Sequence, residues 1–131
     1  MDDGRMLAIG VRDRATDVVV AVAGELDFGS TRELLAVAEP LARAGRSIVL
    51  DLVDLTFCDS TGLSALVRLH RQAEAAGGEL RLARLRTQVE GPIVVTMLDR
   101  LLEICPEVPE APAGAGAAGV DEPNARRADA P

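Results

Sequence analysis

The segment SIVLDLVDL at residues 47–55 is the feature that most constrains the fold of this 131-residue chain. Ile48, Val49, Leu50 and Leu52 form a nearly continuous apolar run rather than alternating with polar residues. Such a run is typical of a central strand whose two faces are both covered, as in sheets built from parallel strands. Parallel strands need long crossover connections, which are usually helices. The sequence therefore predicts an α/β fold.

Periodicity on either side of this segment predicts the remaining elements. Ser30 and Glu33 have the spacing of a capping box and are expected to start a helix, which Pro40 should bend or shorten. Gly77-Gly78 should end a second helix. The predicted order is a hairpin of strands 6–11 and 17–23, a helix from Ser30, the strand 47–55, a helix from Gly62 to about Ala76, a strand at 79–84, a helix at about 88–98 and a short element at 102–105.

The composition restricts the kinds of function that this chain can have. Aromatic residues make up only 2% of the chain, so a surface that stacks nucleic-acid bases is not expected. The net charge of −7 repels phosphate backbones and favours a basic protein partner. No secretory signal and no apolar run of membrane-spanning length is found, which predicts a cytoplasmic protein without a membrane contact. Cys58 and Cys105 are expected to be reduced thiols.

The composition changes at Pro106. Five of the seven prolines lie from there to Pro131, among Ala, Gly and acidic residues. A segment of this kind cannot bury enough apolar surface to fold. We therefore expect one folded domain over residues 1–106 and a disordered Pro/Ala/Gly-rich acidic tail over residues 107–131.

The polar residues Asp59, Ser60 and Thr61 stand between the apolar strand and the next helix. Any of the three side chains is suited to cap that helix, and capping alone would explain them. A helix N-terminus also carries free N–H donors and partial positive charge, so a hydroxyl there can be phosphorylated without unfolding the domain. From the residues alone, Ser60 is either a cap or a phosphorylation switch.

Several motifs together resemble the STAS domain of bacterial anti-sigma factor antagonists, over roughly residues 5–106. They are G-E-L-D at 24–27, I-V-L-D-L at 48–52, F-C-D-S-T-G-L at 57–63, Gly77-Gly78 and L-D-R-L-L at 98–102. Met97 departs from the pattern, because the family often has glycine at that position. The resemblance implies a STAS fold, a single α/β domain with a mixed, mostly parallel sheet of about four to five strands.

The same resemblance implies a function. Ser60 matches the serine that an anti-sigma factor with serine kinase activity phosphorylates. The unphosphorylated antagonist would bind the anti-sigma factor and release the sigma factor, phosphorylation would end that binding, and a phosphatase would restore it. The matched partner-binding positions are Glu25, Asp27, Asp59, Thr61 and Gly62.

Other functions remain as alternatives. The alternative expectation is a STAS scaffold subunit of a larger sensory complex, with Ser60 only a cap. An enzyme is not predicted, because no catalytic constellation and no phosphate-binding loop followed by lysine is found. Asp51, Asp54 and Asp59 are expected to be loop and capping residues rather than metal ligands, and no cofactor is expected.

Overall fold

The apolar run that begins at residue 47 forms the middle of a sheet. In a computed structural model that describes residues 7–111, strand β3 pairs in parallel with β2 on one side and β5 on the other. The sheet order is β1-β2-β3-β5-β6, with β4 pairing the end of β2. The elements are β1 (Leu7–Asp13), β2 (Asp17–Leu26), α1 (Thr31–Arg43), β3 (Ser47–Asp51), β4 (Leu55–Cys58), α2 (Ser60–Ala75), β5 (Leu80–Ala83), α3 (Thr87–Val95), a 3₁₀ turn (Leu98–Arg100) and β6 (Glu103–Cys105).

The α/β prediction and the hairpin are confirmed. Strands β1 and β2 pair antiparallel, from Leu7 opposite Gly24 to Asp13 opposite Val18, and every other pairing in the described sheet is parallel. All three described helices contribute side chains to one core that covers one face of the sheet, where Val20, Ile48 and Leu82 are buried.

Strand β3 is covered on its second face as well. Val49 on this face is buried together with Val19 and Ala83, and Val108 packs against them. Arg14 donates from Nη1 to the carbonyl oxygen of Pro109 at 2.9 Å. Val108 thus packs on the sheet and Pro109 bonds the turn between β1 and β2, although both were assigned above to the tail. The rest of that segment, 112–131, lies outside the described residues.

The capping box expected at the start of α1 is wrong. Ser30 has φ −117° and ψ −12°, not the extended backbone of a capping residue, and its hydroxyl donates to the carbonyl of Glu25 at 2.7 Å. Glu33 instead accepts the N–H of Leu7 at 3.2 Å, so no capping box forms. Helix α1 continues past Pro40 to Arg43, so Pro40 does not end it, and the expected bend stays a prediction.

The predicted strand 47–55 divides in two. After Asp51 the chain makes a turn, closed by a hydrogen bond from the N–H of Leu55 to the carbonyl of Leu52, and a separate strand β4 begins. This strand pairs with the carboxyl end of β2, with Leu26 opposite Cys58. Within residues 7–111, no helix has the length and apolar character needed to cross a membrane.

Candidate functional site

Two loops that are distant in sequence meet where β2 and β4 end. Because Leu26 and Cys58 are paired, the residues that follow each of them emerge at the same edge of the sheet. The N–H of Asp59 donates to the carbonyl of Leu26 at 3.1 Å and continues the pairing by one residue. The G-E-L-D motif and the D-S-T-G-L motif therefore form one surface.

Asp59 caps helix α2. Its backbone is extended, with φ −93° and ψ −173°, and its Oδ1 accepts the N–H of Gly62 at 2.9 Å. Its Oδ2 accepts the N–H of Phe28 at 3.3 Å, so the same carboxylate also fixes the loop after β2. Of the three side chains suited to capping, the one that caps α2 is therefore that of Asp59.

Ser60 is the first residue of α2, and its side chain is exposed. Its hydroxyl has no hydrogen bond to any of the described residues, because the cap is supplied by Asp59. Thr61 is half-buried. Within the described chain, the backbone N–H groups of Ser60 and Thr61 have no acceptor, so both remain available at the helix N-terminus.

The two acidic residues of the G-E-L-D motif differ. Asp27 is part of its own turn, since its Oδ1 accepts the N–H of Gly29 at 3.0 Å and its carbonyl accepts the N–H groups of Ser30 and Thr31. Glu25 is exposed and stands opposite Phe57 in the β2–β4 pairing. Its carboxylate has no hydrogen bond or ion pair with the described residues, so it is free to meet a partner.

Gly62 is buried, and its role in the fold is close packing. A Cβ there would lie 2.7 Å from Sγ of Cys58 and 2.8 Å from the carbonyl oxygen of Leu26. Only glycine lets α2 approach the end of the sheet so closely. Contact of Gly62 with a partner stays a prediction, which its burial does not favour. Burial and the nearby Asp59 carboxylate raise the pKa of Cys58 to about 12, so this thiol is neutral.

The other carboxylates considered above are engaged elsewhere. Asp51 accepts two hydrogen bonds from Arg84, at 3.0 and 2.7 Å, and the pair raises the pKa of Arg84. Asp54 lies 3.8 Å from a nitrogen of Arg86. Over residues 7–111, no group of three or more His, Cys, Asp or Glu side chains is arranged to hold a metal ion.

Sequence reasoning missed two residues of this surface. Phe28 and Phe57 are the only aromatic residues of the chain, yet their side chains are 83% and 46% exposed. Each stands beside one of the two motifs, Phe28 directly after G-E-L-D and Phe57 two residues before Asp59. That placement is visible in the sequence, but the exposure of both side chains is not.

The geometry agrees with comparisons with known proteins. Residues 8–111 match the model of the STAS domain family. This chain belongs to the STAS domain family. It is 30% identical over 96 residues to the anti-sigma-B factor antagonist of Bacillus subtilis. The aligned residues make up 73% of this chain and 88% of that protein.

Solved structures support the STAS fold. This STAS domain superposes on an anti-sigma factor antagonist from Mycobacterium paratuberculosis with a TM-score of 0.71 and 23% identity, over 78% of this chain and 87% of the other. It is also similar to the Bacillus cell fate determinant SpoIIAA in its phosphorylated form, with a TM-score of 0.59 and 21% identity, over 74% and 90% of the two chains. The STAS fold expected from the motifs is confirmed, with six described strands rather than four or five.

Proposed function

We propose that this STAS domain is an anti-sigma factor antagonist whose binding is switched off by phosphorylation of Ser60. The observation that carries the proposal is the free, exposed hydroxyl of Ser60 at the start of α2, beside an Asp59 that caps the helix. Because Asp59 supplies the cap, Ser60 is not needed to hold the helix. Similarity to the anti-sigma-B factor antagonist of B. subtilis supports this choice of function.

The fold can tolerate a phosphate on Ser60. The N–H groups of Ser60 and Thr61 have no acceptor within the described residues, and the helix N-terminus adds about half a positive charge. A phosphate carries about −1.5 to −2 charges at neutral pH and can accept from such donors. Phosphorylation should therefore change the surface without unfolding the domain.

The same phosphate should weaken a complex with a kinase. The partner-binding positions are Glu25, Asp27, Asp59 and Thr61, with Gly62 beneath them, and their acidic side chains suit basic groups on the anti-sigma factor. Ser60, however, must face the bound nucleotide when the kinase acts on it. A phosphate on Ser60 then meets the phosphates of the nucleotide, and like charges at that short distance repel. A phosphatase that removes the group would restore binding.

Phosphate incorporation tests the site. The protein is incubated with ATP and the purified anti-sigma factor kinases of its own organism, and phosphate is located by mass spectrometry. Wild type and Thr61→Ala should each gain one phosphate, whereas Ser60→Ala should gain none. Thr61→Ala is the matched control, since it removes the adjacent hydroxyl. Equal labelling of Ser60→Ala and wild type would show that Ser60 is not the acceptor.

A negative result has a specific meaning. If none of the kinases phosphorylates wild type and none binds it, the antagonist function is wrong. Isolation of the domain within a large multi-protein particle would then favour the scaffold role.

A further inference from the structure

The surface around Ser60 contains all of the aromatic residues of this chain. There are two phenylalanines and no Trp or Tyr among 131 residues. The core is built without them, from buried Leu, Val, Ile and Ala side chains. Phe28 is 83% exposed and Phe57 is 46% exposed, although large aromatic side chains gain much from burial. Scattered exposed apolar residues are ordinary, but these two lie in the segments that meet directly before Ser60.

Contacts with the chain that leads into Ser60 fix their backbone positions. The N–H of Phe28 donates to Oδ2 of Asp59, the residue that precedes Ser60. Phe57 precedes Asp59 by two residues in β4 and pairs with Glu25 of β2. Its neighbour Cys58 is buried in the core, whereas Phe57 itself is exposed. Both phenylalanines thus belong to the two segments that meet at Asp59, directly before α2.

The two segments that carry the rings are rich in acidic residues. Residues 24–34 and 54–63, the two segments that form this surface, contain five acidic residues and one arginine. Aromatic side chains at the centre with charged residues around them are the usual arrangement of residues that dominate protein–protein binding energy. A second copy of this chain would bring its own acidic residues against these, whereas a basic partner would pair with them.

We propose that Phe28 and Phe57 are the apolar anchors by which this STAS domain binds the anti-sigma factor, whose matching surface has apolar pockets bordered by Lys or Arg. This inference rests on the proposed function and adds to it the residues that hold the partner. The anchors act in docking and not in phosphate transfer, since neither ring bears a group that takes part in that step.

Two substitutions test the anchors in the full-length protein. Phe28→Ser removes the ring but keeps the backbone N–H that donates to Asp59, and Phe57→Thr keeps a residue that favours strands. Val11→Ser is the matched control, because Val11 is 54% exposed and pairs with Val20 in the amino-terminal half of β2, away from Ser60. Circular dichroism and thermal unfolding establish that each variant is folded.

Affinity for the purified anti-sigma factor kinase is measured by calorimetry, and phosphorylation by steady-state kinetics. Each anchor variant should bind about tenfold or more weakly, a loss that corresponds to at least about 1.4 kcal/mol. KM for the domain as kinase substrate should rise by a similar factor while kcat stays unchanged, as expected when only docking is lost. Val11→Ser should match wild type in both measurements.

Five outcomes would overturn the inference. Wild-type affinity for both anchor variants would do so while leaving the phosphorylation of Ser60, and thus the proposed function, intact. An equal loss of kinase affinity in Val11→Ser would show that the rings do not act as local anchors. A fall in kcat of the anchor variants without a rise in KM would show the same. A dimer of the wild-type domain that Phe28→Ser dissociates, with unchanged kinase affinity, would assign the rings to self-association. Absence of any kinase binding by wild type would remove the proposed function and this inference together.

Discussion

The backbone N–H of Phe28 donates to Oδ2 of Asp59 at 3.3 Å, across 31 residues of sequence. The other oxygen of this carboxylate accepts the N–H of Gly62 at 2.9 Å. One side chain thereby joins the loop after β2 to the first turn of α2. The β2–β4 pairing sets the position of Ser60 relative to Glu25, and this link fixes the loop that carries Phe28 beside them.

Replacement of Asp59 should weaken the fold. Asp59→Ala removes the cap and the link to Phe28, and we expect the free energy of unfolding to fall by about 1–2 kcal/mol. Asp59→Asn keeps an acceptor for Gly62 and should lose less. Urea unfolding measures both. Asp54→Ala is the control, because that exposed carboxylate has only a 3.8 Å contact with Arg86 and should cost under about 1 kcal/mol. Equal losses for Asp59→Ala and Asp54→Ala would contradict the capping role.

Addition of one methyl group at Gly62 should be destabilising. Its Cβ would lie 2.7 Å from Sγ of Cys58 and 2.8 Å from a backbone oxygen of Leu26, so α2 must shift. We expect Gly62→Ala to lower the free energy of unfolding by about 1–3 kcal/mol.

Gly91 offers the matched comparison for Gly62. It is also in a helix, but a Cβ there meets nothing within 4 Å, so Gly91→Ala should raise the free energy of unfolding by about 0.5–1 kcal/mol. Thermal or urea unfolding of the two alanine variants tests the packing explanation, which fails if both change stability in the same direction.

Met97 has a backbone conformation that favours glycine. Its φ is +64°, in the left-handed region, and it stands where the STAS pattern often has glycine. We expect Met97→Gly to raise the free energy of unfolding by about 1 kcal/mol and Met97→Val to lower it, because a β-branched side chain is strained there. Guanidinium unfolding checks the order, and a less stable Met97→Gly would show that the 60% exposed side chain contributes more than the strain costs.

The two thiols should react at different rates. Burial raises the pKa of Cys58 from its ordinary value of 9.0 to about 12, so at pH 8 it has very little thiolate. Cys105 is less buried, although burial raises its pKa too. Iodoacetamide should therefore label Cys105 first and label Cys58 only on unfolding, as read by mass spectrometry with Cys105→Ser as the control. Labelling of native Cys58 at the faster rate would be inconsistent with its burial.

The raised pKa of Cys58 also makes the stability of the fold depend on pH. Deprotonation is harder in the folded state than in the unfolded state, so the stabilising contribution of the neutral thiol is complete below about pH 9. It is lost as the pH rises from 9 towards 12. Cys58→Ala should reduce this loss of stability at alkaline pH, and Cys105→Ser should reduce it by a smaller amount.

The sequence predicted the elements that depend on local pattern. The apolar run 48–52 indicated the central strand, and the residues 59–62 indicated the start of α2. Three features depended on contacts between distant residues and were missed. Strand β4 exists because residues 55–58 pair with the end of β2, and Glu33 accepts from Leu7 instead of completing a capping box with Ser30. The link between Phe28 and Asp59 exists only once that pairing has formed.

The dissociation constant of the complex with the anti-sigma factor kinase, before and after phosphorylation of Ser60, tests the proposed switch most directly. The phosphorylated domain is prepared with the kinase and ATP, separated by ion exchange and compared with the unmodified domain and with Ser60→Ala. We predict that phosphorylation raises the dissociation constant about tenfold or more, while Ser60→Ala, treated identically, keeps the affinity of the unmodified domain. Equal affinity of the phosphorylated and unmodified domains would contradict the switch.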